Sequence, residues 1–422
     1  MAETQAASAP AEAPPPAPKR ERFTSIDTLR GIAVLGILMM NVQAFAMWNM
    51  AYQYPPAHMD LTGANLDAWF YSHVFFGMKF ITIFSALFGA GIILMLGEDK
   101  SLGTRQHYPR MLWLLLIGMI HAYVFWFGDI LVSYALAGML VVMARHKSAL
   151  WLTIWGLILV AIPGLLMVGL FASFGLIPGE VTPEKFQFVL PPEELQEIVA
   201  TYQAGFLDRL PMNALSTVQA QIGGIILFGG RIVGVMFLGM ALFKTGFFTL
   251  RWNSFAYLIT AAVTLGIGIP LAWIGAAHDV ATNFEMTSLW YSIATNYVAS
   301  LLMALGYGAV IMFLCKIKLF QLILYPFTAA GRMAFTNYLT QTLAMTYVFV
   351  GPPGMGLFGT VERIDQVKIV VVVWIVQLIV SPLWLSVFRF GPFEWLWRSL
   401  TYGSFQPLLK GRAPAPSGPP GG

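Results

Sequence analysis

The 422-residue chain is 58% hydrophobic and 10% charged, where a soluble protein carries about 25% charged residues, and its mean hydropathy is +0.71. Its 24 basic and 20 acidic side chains cannot solvate a soluble globule of this length, so the chain reads as an integral membrane protein. Cys315 is the single cysteine, which excludes a disulfide framework and a thiolate-rich metal centre, and six scattered histidines, with no P-loop or basic aromatic stripe, exclude a zinc protease, a nucleotide hydrolase and a nucleic-acid binder.

In chain order, residues 1–21 form an Ala/Pro-rich segment too poor in periodic apolar residues to fold, and are expected to be a disordered tail. Lys19, Arg20 and Arg22 then precede an apolar run that continues past the length of a signal-peptide core, so it is read as a retained first span. Runs of about 20 apolar residues predict ten helices near 29–50, 69–96, 111–127, 129–144, 149–172, 215–243, 253–276, 288–314, 322–350 and 367–388. The fourth is short, and the second, sixth, eighth and ninth are long enough to tilt or kink. The expected fold class is all-α and polytopic, with bundles at 22–172 and 215–407, an extracytoplasmic segment at 173–214 and a disordered tail at 408–422.

Most Lys and Arg residues fall in segments that share a side with the N-terminus, and the other side holds only Lys185, Arg209, Arg363 and Lys368. Cytoplasmic loops are enriched in Lys and Arg, so both termini are expected inside. Acidic residues collect outside, where Pro191–Leu195 reads as the start of an amphipathic helix. After the last span, Trp395 and Trp397 mark an interfacial helix at the cytoplasmic side, with Glu394 and Arg398 in the favourable i,i+4 order.

Ionisable groups within spans cost several kcal/mol, so each needs a partner, a water cavity or a task. By a helical rise of about 1.5 Å per residue, Asn41, His121, Arg231 and Arg332 share one mid-membrane layer. His121 is the mid-span histidine suited to proton transfer near pH 7. Lys79 is near enough to the outer interface for its ammonium to snorkel. Ser25 or Asp27 is placed to cap the first helix, and Asp129 to cap the fourth. Gly89-Ala-Gly91 and Gly230-x-x-x-Gly234 fit close helix packing.

Several separated motifs resemble the YeiB-like family of bacterial membrane proteins, a domain-of-unknown-function family (DUF418). They are Ser25-Ile-Asp27-Thr-Leu-Arg30-Gly31 followed by Asn41, Lys79-Phe80, Leu87-Phe-Gly-Ala-Gly91, His121 with Trp126-Phe-Gly-Asp129, Gly331-Arg332-Met-Ala-Phe-Thr-Asn337-Tyr338-Leu with Gln341, and Gly391-Pro392-Phe-Glu394-Trp395. That family is similar to transmembrane acyltransferases that share the Asp-x-x-Arg-Gly opening, among them heparan-alpha-glucosaminide N-acetyltransferase. Sugar O-acyltransferases have a histidine where this chain has Asn41, while the glucosaminide enzyme has an asparagine there followed soon by a histidine. Here His58 stands further on, so the catalytic histidine does not carry over by position.

The resemblance implies acyl transfer at the bacterial cytoplasmic (inner) membrane. His121 is the candidate general base, and Asn41 and Gln341 would orient the acceptor or stabilise an oxyanion. Asp27, Arg30, Arg110 and Arg332 are the candidates for binding acyl-CoA as a co-substrate, and Lys79, Asp129 and Asn337 for contacting the acceptor. No tightly bound cofactor, metal or nucleic acid is expected; the partners are the lipid bilayer, acyl-CoA and an envelope acceptor. A transporter or flippase is the alternative, which mid-membrane polar groups and glycine-interrupted spans also fit, and a non-catalytic envelope scaffold is the third.

Overall fold

A computed structural model describes residues 23–98 and 104–410. The expected tail 1–21 and residues 411–422 of the expected C-terminal tail lie outside the described residues. Leu408–Lys410 are docked: the Arg389 N–H donates to Leu408 O at 2.8 Å, and the Lys410 N–H donates to Val387 O at 3.1 Å.

In a bilayer, backbone polar groups must be satisfied within the segment, which is why the long apolar runs become helices. The helices are α1 Thr24–Ala46, α2 Gly63–Phe76, α3 Lys79–Leu96, α4 His107–Ile120, α5 Leu131–Val141, α6 Ala149–Ser173, α7 Pro192–Ala204, α8 Leu210–Lys244, α9 Ser254–Ala281, α10 Leu289–Cys315, α11 Lys318–Ile323, α12 Tyr325–Arg332, α13 Ala334–Phe349, α14 Arg363–Val387 and α15 Pro392–Tyr402. No strand occurs among the described residues beyond a single bridge between Phe388 and Leu409. The protein is an all-α polytopic membrane protein.

Eight helical stretches among the described residues are long and apolar enough to cross a membrane. Two of the ten expected spans fall outside that set. The fourth is only Leu131–Ala144, and the ninth is divided at Met333 into α12 and α13. The second span is also interrupted: α2 ends at Phe76, and Met78 (φ 64°) enters the left-handed region before α3 begins at Lys79. A non-glycine residue there is strained and must be held by its surroundings.

Helix α1 is buried along most of its length, while α6, α9 and α14 turn Leu157, Ile267 and Ile379 outward, where lipid would solvate them. Small residues permit the tightest crossings: a Cβ on Gly89 would meet Met236 O at 2.1 Å, and one on Gly234 would meet Gly156 O at 2.6 Å, so these glycines pack helices.

Arg30, Arg110, Arg332, Arg389 and Lys410 gather at one end of the bundle, here termed the basic end, across which α15 lies. Arg110 stacks over the Trp397 ring at 4.0 Å, and Trp397 Nε1 donates to Arg110 O at 2.9 Å. Glu394 does not form the expected pair with Arg398. Its Oε1 accepts the N–H groups of Phe335 (2.7 Å) and Thr336 (3.0 Å), capping α13 from another helix, and Arg398 lies over the Phe390 ring at 4.6 Å. The break at Met333 creates orphan N–H groups at the start of α13 that outweigh an exposed ion pair. Nor is α1 capped as expected: Ser25 Oγ donates to Phe248 O at 2.7 Å, and Asp27 pairs with Arg30 at 3.0 Å.

Candidate functional site

Helix α4 does not end at Ile120 but widens into a π-helical turn, His121–Phe125, in which the Trp126 N–H donates to His121 O at 3.0 Å. Such turns insert a residue into the helical ladder and frequently mark functional positions. The short link Trp126-Phe127-Gly128 then returns the chain so that Asp129 faces His121. His121 Nδ1 is 2.7 Å from Asp129 Oδ1, and Asp129 Oδ2 accepts the Val132 N–H at 2.8 Å at the start of α5. His121 Nε2 is 2.9 Å from Thr342 Oγ1 on α13, and its ring lies 5.3 Å from that of Tyr338.

The His121 and Asp129 side chains are only 4% and 1% exposed. A carboxylate beside Nδ1 holds the Nδ1–H tautomer and leaves the Nε2 lone pair to accept from the Thr342 hydroxyl. The imidazole is thus oriented by a carboxyl group at one nitrogen and engaged by a hydroxyl at the other.

The π turn leaves carbonyls without helical partners, and α8 supplies donors for them. Asn213 Nδ2 donates to Ala122 O and Tyr123 O, both at 2.9 Å; Thr217 Oγ1 donates to Ala122 O at 3.0 Å, and Arg209 Nη2 to Val124 O at 3.1 Å. Asn213 Oδ1 in turn accepts the Phe127 N–H at 3.1 Å. Thr342, Asn213 and Thr217 were not among the sequence candidates. The available signal was the four-residue repeat Arg209, Asn213, Thr217, which puts three polar side chains on one face of an apolar helix.

The other candidates do not converge on His121. Asn41 is half-buried and hydrogen-bonds to none of the described residues. Gln341 Nε2 turns away, donating to Gln377 Oε1 at 2.9 Å and to Val34 O at 3.3 Å, and Asn337 Nδ2 donates to Ala330 O and Ser381 Oγ. Helical periodicity explains this: Gln341 precedes Thr342 by about 100° of rotation, so the two cannot face the same neighbour. Arg332 is not in a mid-membrane layer, because the break at Met333 keeps it at the basic end, where Nη2 reaches Arg389 O at 3.4 Å.

Lys79 does not snorkel. It is fully buried at the break between α2 and α3, with Nζ 2.5 Å from Asn296 Oδ1. No cluster of three or more His, Cys, Asp or Glu side chains that could hold a metal occurs among the described residues.

At the end opposite the basic one, two of the four basic residues assigned there are internal. Arg209 is 1% and Arg363 3% exposed. Arg363 donates to Gln43 Oε1 (3.2 Å), Pro55 O (2.7 Å) and His58 O (3.2 Å), pinning the loop after α1. His58 Nδ1 accepts the Trp48 N–H at 3.0 Å; burial first, and the Arg363 guanidinium second, push its pKa down to about 4. A cleft of about 420 Å³ opens beside His58, lined also by Leu195, Gln196, Val199 and Gln203 of α7.

The bundle and its buried polar clusters define a multi-pass α-helical membrane protein. Residues 242–404 match the family described as "Protein of unknown function (DUF418)". The chain is 30% identical over 402 residues to the uncharacterized protein YeiB of Escherichia coli (strain K12), covering 92% of this chain and 98% of that one. It is also 30% identical over 420 residues to the uncharacterized protein YxaH of Bacillus subtilis (strain 168), covering 92% and 96% respectively. The chain belongs to the YeiB-like DUF418 family.

Proposed function

We propose that the protein is an acyltransferase of the bacterial cytoplasmic membrane, moving an acyl group from acyl-CoA to a hydroxyl or amine of an envelope acceptor, with His121 as general base. The observation that carries this reading is the Asp129–His121–Thr342 chain of hydrogen bonds. Asp129 holds Nδ1–H, so Nε2 takes the acceptor proton as the acceptor oxygen or nitrogen bonds to the thioester carbonyl carbon. The C–S bond then breaks, and the imidazolium returns the proton to the departing CoA sulfur. Thr342 Oγ1 marks the place beside Nε2 that the acceptor's hydroxyl would take.

In this reading the basic end faces the cytoplasm, with both termini inside, and its Arg30, Arg110 and Arg332 bind CoA phosphates. The burial of Arg209 and Arg363 supports that orientation, because it leaves little positive charge on the opposite surface. Gln341, held by Gln377 and Val34, is a packing residue.

The test is transfer of labelled acetyl and longer acyl groups from CoA to envelope extract by the protein in proteoliposomes. His121→Ala should slow transfer about 10²–10⁴-fold while CoA still binds, and Arg332→Ala should weaken CoA binding. Undiminished transfer by His121→Ala removes the base assignment. Failure of the folded protein to bind any CoA species moves the transporter reading forward, which the interrupted spans at Met78 and Met333 independently favour.

A further inference from the structure

Lys79 and Arg231 form a second buried polar cluster, between α3, α8 and α10, apart from the His121 site. Lys79 is 0% and Arg231 5% exposed. Lys79 Nζ donates to Asn296 Oδ1 (2.5 Å) and His73 O (2.9 Å). Arg231 Nη2 donates to Thr82 Oγ1 (3.0 Å) and Ser300 Oγ (2.8 Å), and the guanidinium lies 4.2 Å from the centre of the Tyr297 ring. The partners Asn296 and Ser300 are one turn apart on α10, a rise of about 6 Å, so the two cations are neighbours.

Every one of these partners is neutral, and neither cation joins an ion pair with a described residue. Held charged, two basic groups with no counter-ion in a membrane interior are strongly unfavourable, so an anion that pairs with both would stabilise their charged forms. One donor is also unused: Arg231 Nη1 is buried without a hydrogen-bond partner. The cluster further sits on the first turn of α3, which runs from Lys79 past Thr82 and has no side-chain cap. A helix that restarts inside a span aims its positive end and free N–H groups at whatever lies there.

We propose that this cluster is an oxyanion site of phosphate class, taking the phosphomonoester of a free metabolite or of a lipid headgroup, and not a phosphodiester. Two cations and a helix N-terminus match a group carrying about −1.5 to −2 charges. Arg231 Nη1, the remaining Lys79 N–H and the N–H groups of the first turn of α3 are its donors.

The test is thermal unfolding of the full chain in phosphate-free detergent with added inorganic phosphate, with chloride at equal ionic strength as the reference. The same measurement in phosphatidylcholine nanodiscs, with and without phosphatidate, separates the sources. Phosphate should raise the unfolding temperature in a saturable manner, and Lys79→Gln and Arg231→Gln should weaken the apparent affinity at least about tenfold. If the source is a lipid, phosphatidate gives the shift and inorganic phosphate adds nothing to it; if it is free, phosphate acts with or without phosphatidate. Asn296→Asp puts the missing negative charge against Lys79, so this variant should be more stable without phosphate and should lose the response to it. The proposal is overturned if neither phosphate nor phosphatidate exceeds chloride, or if the response survives in Asn296→Asp and Arg231→Gln.

Discussion

Gly31 of α1 and Gly331 of α12 cross so closely that a Cβ on the first would lie 2.8 Å from Gly331 N, and a Cβ on the second 2.7 Å from Gly31 N. The same added carbons would come within 1.9 Å of Phe327 O and 1.7 Å of Asp27 O. Thr28 and Thr328, whose hydroxyls are 2.7 Å apart, fasten the crossing at one side. Two motifs 300 residues apart in sequence thus form one backbone contact, with Arg30 and Arg332 at its flanks.

Gly31→Ala and Gly331→Ala should therefore each destabilise the bundle by about 1–3 kcal/mol or more, because the obstructing atoms are backbone and cannot rotate away. Gly91→Ala is the control, since nothing lies within 4 Å of its Cβ position. Thermal unfolding in detergent should separate the three variants, and equal melting of Gly31→Ala and wild type would contradict the crossing.

The π turn that carries His121 depends on Asn213, which serves two of its carbonyls. Asn213→Ala leaves Tyr123 O and the Phe127 N–H unpaired, while Ala122 O keeps Thr217, and should cost about 1–3 kcal/mol. If the proposed acyltransferase reading holds, it should also lower acyl transfer along with His121→Ala, since the turn sets the position of the imidazole. A stability loss with an unchanged rate would assign Asn213 to folding only.

Glu394 caps α13 with Oε1, while Oε2 accepts from the Thr336 hydroxyl at 2.5 Å. Burial pushes its carboxyl pKa up from 4.5, against the opposing effect of these hydrogen bonds. Glu394→Gln keeps an oxygen for the two N–H groups and should be close to neutral, whereas Glu394→Ala should cost about 0.5–2 kcal/mol. Comparable losses in both variants would show that the charge, rather than the acceptor, matters.

His58 makes stability depend on acidity. Its folded pKa of about 4 lies below the ordinary 6.5, so between these values the unfolded chain binds more protons than the folded one. The stabilisation is complete above pH 6.5, drains away as pH falls toward 4, and then levels off. Melting temperatures across that window should fall more steeply for wild type than for His58→Asn, and parallel curves would refute the assignment.

Apolar runs and the scarcity of charge were enough to define the helical membrane fold, because a bilayer leaves the backbone few alternatives to helices. The breaks at Met78 and Met333 were less legible. A hydropathy run continues across both of them, and at Met333 it is a side chain from another helix, Glu394, that supplies the hydrogen bonds that let the span restart. His121 was visible as an ionisable group in an apolar helix, and Asp129 as a residue at a helix start, but their pairing needed the π turn. Thr342, 221 residues from His121, and Asn213, 91 residues from Ala122, could be matched only in three dimensions. A single sequence records that a polar group is costly in a span; which distant group satisfies it is decided by how the helices rotate and cross, and that is set by contacts such as Gly31 against Gly331.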